Sequence, residues 1–170
     1  MPASVRLRVP TRADLPFIRA LWADPQTMGA VGGPVALTAE RAEAWFRRMV
    51  DPGAPTDRYF LIEDARGRPV GEISFHRRDL ARDTAGLNVK VLASARGAGF
   101  GRAALEAFLS WYFADFGGAE ITDDLRPDNE GGRRLMEQFG FVHDPSFAGV
   151  HFMRLTRTAW EARDRDGARP

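Results

Sequence analysis

A strand runs into a helix through a glycine-rich loop in the stretch VKVLASARGAGFGRAAL, residues 89–105. The loop carries glycines at positions 97, 99 and 101. Glycines at alternate positions let several backbone N–H groups approach one point without side chains between them. That point lies at a helix N-terminus, where the helix dipole also favours an anion. The segment predicts a cradle for a phosphate or pyrophosphate group; the glycine spacing alone also fits a tight strand-to-helix turn.

Two well-known phosphate cradles do not fit this loop. A P-loop ends in Gly-Lys-Ser or Gly-Lys-Thr, whereas Gly101 is followed by Arg102 and Ala103. A dinucleotide fingerprint has the spacing G-x-G-x-x-G near the first βαβ unit, whereas this loop has G-x-G-x-G after a series of strands. The sequence therefore argues against nucleotide hydrolysis and against a dehydrogenase.

Hydrophobic periodicity on both sides of the loop predicts a mixed fold. Alternation predicts strands at 5–9, 58–63, 70–77, 86–92, 119–123, 141–142 and 150–155. Helical spacing predicts helices after Thr11, after Thr38, from residue 100 to the Gly117-Gly118 stop, and over 129–139. Strands and helices in this order predict an α/β or α+β sandwich, a mixed sheet covered by helices. Its 170 residues correspond to about one domain. We expect that domain at 1–155, followed by a polar tail or an extra surface helix at 156–170.

Composition excludes several classes of protein. The 24 basic and 23 acidic residues nearly cancel, so no overall field attracts nucleic acid or an anionic membrane. No apolar run approaches the ~18 residues that span a bilayer, and we expect a cytoplasmic protein. The absence of cysteine excludes disulfides and a thiol nucleophile. The three histidines lack metal-ligand spacing, so no metal site is predicted.

Two motifs together resemble the GNAT acetyltransferase superfamily. Arg96, Gly99 and Gly101 fill its acetyl-CoA motif R/Q-x-x-G-x-G/A, and NEGGRRLMEQFGF, residues 129–141, resembles its second cofactor motif. The resemblance extends over about residues 5–155 and is closest to the branch that acetylates ribosomal-protein N-termini. It implies a GNAT-type mixed, mostly antiparallel central sheet with helices on both faces. It also implies acetyl-CoA as cosubstrate.

The resemblance further implies where the cofactor lies. Strands near Glu72 and Val91 are expected to splay apart, with pantetheine between them as a pseudo-strand. Amides of the glycine loop are expected to hold the pyrophosphate. Asn129 is expected to reach the pantetheine or its thioester end, a role compatible with capping a helix. The implied cofactor-binding residues are Val89, Val91, Arg96, Gly97, Ala98, Gly99, Phe100, Gly101, Arg102 and Asn129.

The chemistry predicts one catalytic residue, Glu72. Acetyl transfer to an amine needs a neutral amine, a stabilised oxyanion and a proton for the departing thiolate. Strand alternation places Val70, Glu72, Ser74 and His76 on one face, with Glu72 beside the expected cleft. Glu72 could take the ammonium proton directly or through a water, or it could instead cap, pair with an arginine or bind the substrate cation. Lesser candidates are His76, Asp79 and Asp123.

One departure from the family concerns the general acid. Many members carry a tyrosine near the position of Met136 that protonates the thiolate, and this helix has none. Gly132 also stands where the resembled branch usually has serine or alanine. Water, the substrate or Tyr59 could supply the proton instead.

The function predicted is direct transfer of an acetyl group from acetyl-CoA to a primary amine, with a peptide N-terminus favoured and a small-molecule amine next. The alternative is a non-catalytic acyl-CoA-binding or regulatory domain. The expected partners are acetyl-CoA and an amine acceptor, without nucleic acid or membrane, and a homodimer is one possible assembly. Acceptor specificity is expected from the loops at 28–38 and 145–149.

Overall fold

A seven-stranded sheet forms the centre of the structure, a computed structural model that describes residues 3–165. The strands are β1 (Arg6–Arg8), β2 (Arg58–Glu63), β3 (Pro69–Asp79), β4 (Thr84–Val91), β5 (Glu120–Leu125), β6 (Val142–Asp144) and β7 (His151–Thr156). Their order in the sheet is β1-β2-β3-β4-β5-β7-β6. Neighbouring strands are antiparallel except β4 and β5, which are parallel. The predicted mixed, mostly antiparallel sheet is confirmed.

The helices begin and end at capping residues that the sequence indicates. They are α1 (Leu15–Ala23), α2 (Pro25–Met28), α3 (Ala39–Met49), α4 (Phe100–Ser110), α5 (Glu130–Gln138) and α6 (Arg157–Arg165). The Thr38 hydroxyl accepts a hydrogen bond from the Arg41 amide at 3.2 Å and so caps α3. Asp24 ends α1, and its carboxylate accepts the amides of Gln26 and Thr27, each at 3.1 Å, to begin α2. A wider π-helical segment, Trp111–Phe116, continues α4.

Each face of the sheet has its own apolar layer. On the first face, here called the α4 face, buried Ile73, Phe75 and Leu87 pack with residues of α4 and α5. On the opposite face, the α1–α3 face, Tyr59 and Leu61 of β2 pack with Ile18, Trp45 and Phe46. This alternation follows from the two-residue period of a strand. Each fully buried large side chain contributes about 1.5–3 kcal/mol, so both layers hold the sheet in place.

The separation of strands occurs between β4 and β5. Their paired residues are 84–86 and 120–122, whereas β5 pairs with β7 along its whole length, from Glu120 to Leu125. Because β5 stays paired with β7, it diverges from β4 beyond Gly86 and Thr122. We call this gap the strand opening. The expected splay of the strands near Glu72 and Val91 is wrong, since β3 and β4 remain paired there, Glu72 with Lys90 and Gly71 with Val91.

Within the predicted segment 156–170, Thr156 ends β7 and Arg157–Arg165 form helix α6, which packs on the domain. Trp160 is only 4% exposed, and its ring stacks on Phe113 with centroids 6.0 Å apart. The sequence left a polar tail and an extra helix open for this segment, and the described residues form the helix. Residues 166–170 lie outside the described part of the chain. Among residues 3–165, no helix combines the length and hydrophobicity needed to cross a membrane.

Candidate functional site

A cavity of about 1120 Å³ lies at the strand opening. Its walls include all of the implied cofactor-binding residues except Ala98. Residues of β3, α2 and the loop after α2 complete the walls, among them His76, Thr27 and Val31. The structure therefore brings the two sequence motifs, around residues 96–102 and at Asn129, to one cavity. Their contact with acetyl-CoA remains a prediction.

The glycine loop has the geometry of an anion cradle. Gly99 is the N-cap of α4 and has a φ of 86°, which is strained for residues with a side chain. The first backbone hydrogen bond of α4 runs from the Ala103 amide to the Gly99 carbonyl at 3.0 Å. The amides of residues 100–102 therefore precede the helical ladder and carry the positive end of the helix dipole. This arrangement fits the pyrophosphate of acetyl-CoA.

Arg96 has protein partners that the sequence motif did not indicate. Its guanidinium donates to the carbonyl oxygens of Thr27 at 2.7 Å and Gln26 at 3.2 Å. The Thr27 hydroxyl in turn accepts the Ala93 amide at 2.9 Å. A cation on the last carbonyls of a helix is favoured by the helix dipole. Arg96 thus fastens α2 to the glycine loop, and no local signal links positions so far apart in the chain.

Asn129 caps α5 at the cavity wall. Its side-chain oxygen accepts the Gly132 amide at 3.0 Å. A Cβ at position 132 would lie 2.8 Å from Nδ2 of Asn129, closer than real Cβ contacts allow. The glycine that departs from the branch's usual serine or alanine therefore gives this asparagine room to form the cap.

Glu72 lies one strand away from the strand opening, in a buried network on the α1–α3 face. Its side chain is 1% exposed. One oxygen accepts the Trp22 indole N–H at 2.8 Å and the Tyr59 hydroxyl, and the other accepts the Lys90 ammonium at 2.6 Å. Lys90 is on the cavity wall, whereas Glu72 and Tyr59 are not. The general-base role of Glu72 remains a prediction, and the structure supplies a second role, as the partner of a buried lysine.

Other candidates differ in position and charge. His76 is on the wall, and its Nε2 lies 3.2 Å from the position that a Cβ on Gly86 would take. Burial, with a contribution from the nearby Arg77 charge, lowers the pKa of His76, so the imidazole is neutral at pH 7. Asp79 is exposed at the end of β3 and away from the wall, and its carboxylate accepts the amides of Ala81 and Arg82 in the turn that follows.

Asp123 has the most perturbed carboxyl on the wall. Burial, reinforced by the neighbouring Asp124 charge, raises the pKa of Asp123 to about 7. Asp123 and Asp124 are the acidic residues among the described residues that form the cavity. The basic residues on the same walls are His76, Arg77, Lys90, Arg96, Arg102 and Arg126. This excess of positive charge suits an anionic cofactor.

The helix N-terminus at the glycine loop and the titratable side chains at the adjoining strand opening suit an enzyme that holds a phosphate-bearing cosubstrate. The chain matches the profile of the Acetyltransferase (GNAT) domain over residues 4–142. It therefore belongs to the GNAT acetyltransferase family and is an acetyl-CoA-dependent N-acetyltransferase. Family membership favours this enzyme over the alternative of a non-catalytic acyl-CoA-binding domain. Comparison with curated protein sequences gives no match.

Solved structures share the fold at low sequence identity. Spermidine N-acetyltransferase from Vibrio cholerae in complex with CoA and spermine is 19% identical, with a TM-score of 0.82 over 92% of this chain and 98% of that chain. A dodecameric structure of the Vibrio cholerae enzyme in an intermediate state is 20% identical, with a TM-score of 0.75 over 94% and 97% of the two chains. At this identity the likeness establishes the fold.

Proposed function

We propose that this N-acetyltransferase acts on the α-amino group of a peptide. The observation that carries the proposal is the charge of the wall on the α1–α3 face. Asp124 lies two residues after Thr122 on β5, so the two side chains share one face of the sheet. Thr122 pairs with Gly86, and Gly86 pairs with His76, so Asp124 faces the same side as His76. Asp124 is an exposed carboxylate that provides a place for one ammonium group. Arg77, exposed on the same cavity, disfavours a second ammonium nearby.

The ionisation of the acceptor supports the same choice. A peptide α-amine has a pKa of about 7.7–8.0, against about 10.4 for a lysine or alkyl amine, so more of it is neutral at pH 7. Its demand on a general base is correspondingly small. The imidazole of His76 lies on the wall of this face and is neutral, the protonation state of a proton acceptor, because burial lowers its pKa.

Small-molecule amines are the second class of acceptor. The solved structures named above include an enzyme that acts on spermidine, and its fold extends over nearly the whole of this chain. A polyamine carries several ammonium groups, and Arg77 weighs against it by charge. Peptide N-termini therefore rank first, small amines second and internal lysines third.

A panel of acceptors tests this ranking. Thiol release from acetyl-CoA is measured with Ala-Gly-Gly, with spermidine, and with an N-acetylated peptide that carries one internal lysine. Mass spectrometry then locates the acetyl group. The expected result is the highest kcat/KM with Ala-Gly-Gly, and Asp124→Asn should raise the KM for this peptide. Preferred acetylation of spermidine or of the internal lysine would overturn the ranking and leave the acetyltransferase assignment intact.

Assembly is a separate part of the proposal. We infer that copies of this chain associate, since one fold neighbour is dodecameric. Light scattering on the purified chain measures the mass directly, and a mass of one chain at micromolar concentration would contradict association.

A further inference from the structure

Asp123 occupies a distinctive place at the strand opening. It is the first residue of β5 after Thr122, the last residue that pairs with β4. Its neighbours on the same face of β5 are Ile121 and Leu125, both buried in the apolar layer of the α4 face. Across the sheet it pairs with the fully buried Met153 of β7. Removing a carboxylate from water in this apolar setting costs free energy. Packing alone therefore does not explain why an aspartate stands at this position.

The two carboxylates of β5 face opposite sides of the sheet. Asp124 faces the α1–α3 side with His76, whereas Asp123 faces the side on which α4 packs. The glycine loop opens α4 on that same side, and Gly101 lies beside Val91, with 3.6 Å between its Cβ position and Cγ2 of Val91. A cofactor arm that starts at the glycine loop therefore approaches the strand opening from the side of Asp123.

Thioester cleavage needs a proton donor on that side. The departing thiolate must be protonated, and α5 contributes Met136 to the cavity wall, a side chain without an acidic proton. Lys90 is held in its ion pair with Glu72, and His76 lies on the opposite face. Tyr59 donates its hydroxyl to Glu72. Among the described residues that line the cavity, these observations leave Asp123 as the carboxyl proton donor on the cofactor side of the opening.

We propose that Asp123 is the catalytic acid of this enzyme and protonates the sulfur of CoA as the thioester breaks. The amine nitrogen forms a bond to the acetyl carbonyl carbon, and the tetrahedral intermediate collapses with the C–S electron pair moving to sulfur. The Asp123 carboxyl transfers its proton to that sulfur and becomes a carboxylate. The proton lost by the amine nitrogen goes to solvent, and the carboxyl regains a proton from solvent before the next cycle. The step involves the leaving group, so it applies to any amine acceptor.

The ionisation of Asp123 agrees with this role. Burial and the Asp124 charge raise its pKa to about 7, and Lys90 on β4 acts in the opposite direction. Across from it β7 presents Met153, and α5 contributes Met136 to the same cavity. The remaining groups of the walls are the neutral imidazole of His76 and the guanidinium groups of Arg77, Arg96, Arg102 and Arg126. An acid of pKa about 7 is largely protonated in mildly acidic solution and can donate to a thiolate, since an ordinary alkyl thiol such as that of cysteine has a higher pKa, about 8.5.

Asp123→Asn tests the proposal kinetically. With acetyl-CoA and the better of Ala-Gly-Gly and spermidine, kcat should fall by about 10²- to 10⁴-fold while the KM for acetyl-CoA stays unchanged. The wild-type kcat should decline on the alkaline side as Asp123 loses its proton, and the variant should lack this decline. Asp79→Asn, which removes an exposed carboxyl away from the cavity, is the matched control, and it should keep the alkaline decline. Wild-type kcat and an unchanged pH profile in Asp123→Asn would overturn the proposal.

A second measurement needs no acceptor. The carboxyl carbon of Asp123 is followed by NMR in protein labelled with ¹³C-aspartate, with its resonance assigned by comparison with Asp123→Asn. The titration is recorded with bound CoA and with bound desulfo-CoA, which lacks the thiol. The midpoint should differ between the two complexes, because the carboxyl lies beside the sulfur. Identical midpoints would show that it does not, and would overturn the proposal.

Discussion

The Lys90 ammonium lies 2.6 Å from a carboxylate oxygen of Glu72, and both side chains are almost completely buried. Trp22 and Tyr59 donate to the other oxygen of Glu72, and the rings of Trp22 and Tyr59 both pack against Trp45. The ion pair therefore joins β3 and β4 to the apolar layer of the α1–α3 face. Lys90 is also on the cavity wall, so this pair connects the fold to the site.

Glu72→Gln should destabilise the protein by about 3–5 kcal/mol, because it leaves the buried Lys90 ammonium without a carboxylate. Chemical denaturation measures this loss. The double variant Glu72→Gln, Lys90→Met removes both charges and should recover most of the stability. Turnover of the refolded double variant then separates the two roles of Glu72. The general-base prediction expects turnover about 10²- to 10⁴-fold below that of Lys90→Met alone, whereas turnover equal to that of Lys90→Met would leave Glu72 only as the partner of the buried lysine.

Asp123→Asn should stabilise the protein at pH 8. The pKa of Asp123 is raised from 3.8 to about 7, so the folded state holds a proton that the unfolded state releases between these values. The free energy of unfolding therefore falls as pH rises through that window. Above pH 7 the buried Asp123 carboxylate lowers it by the full amount, on the order of 4 kcal/mol at most. Melting temperatures at pH 8 and pH 4 measure the difference between variant and wild type, which should be positive at pH 8 and vanish at pH 4.

Asp79→Asn is the control of opposite sign. Backbone amides of Arg82 and Ala81 hold the pKa of Asp79 below its usual value. Its contribution to stability is present at neutral pH and is lost as pH falls through the lowered pKa. This variant should melt below the wild type at pH 8. An equal response of the two variants to pH would contradict the assignment of the buried charge to Asp123.

Gly99→Val should abolish binding of acetyl-CoA. Position 99 has a φ of 86°, so a β-branched residue displaces the start of α4 and the amides that follow it. At 100 times its dissociation constant, acetyl-CoA adds about 2.7 kcal/mol to wild-type stability, roughly 5–10 °C in Tm. Gly67→Val is the matched control, because Gly67 has a φ of 75° in the distant β2–β3 turn. It should lower Tm and keep the shift with acetyl-CoA.

Arg96→Ala should release α2. The two carbonyls that bind its guanidinium are those of Gln26 and Thr27, and a hydrogen bond from a charged donor is worth about 1.5–3 kcal/mol. Hydrogen exchange of the amides in residues 25–31 should accelerate. Arg102→Ala, on the same cavity, should leave this exchange unchanged because Arg102 contacts Gln138 of α5 instead. Unaltered exchange in Arg96→Ala would show that α2 is held by other contacts.

Local features of the site could be predicted because their signals lie within a few residues. The glycines at 97, 99 and 101 precede a helical pattern, so an anion cradle follows from backbone freedom and the helix dipole. The caps at Asp24, Thr38 and Asn129 are likewise short-range, each between a side chain and an amide two or three residues ahead. These features are the same in any tertiary context that keeps the helices.

Pairing between distant strands determined the rest. β5 diverges from β4 because it stays paired with β7, a strand about 30 residues later in the chain. Strand periodicity carries no information on which of its two neighbours β5 stays paired with. The sequence analysis predicted Glu72 beside the cleft because strand periodicity does not show which strands separate. In the structure β3 and β4 stay paired, and Lys90 lies against Glu72. The pKa of Asp123 also depends on tertiary structure, since its cause is burial at the strand opening. Residue types and spacings predicted the family and the cofactor, while register and burial decided which carboxyl lies at the opening.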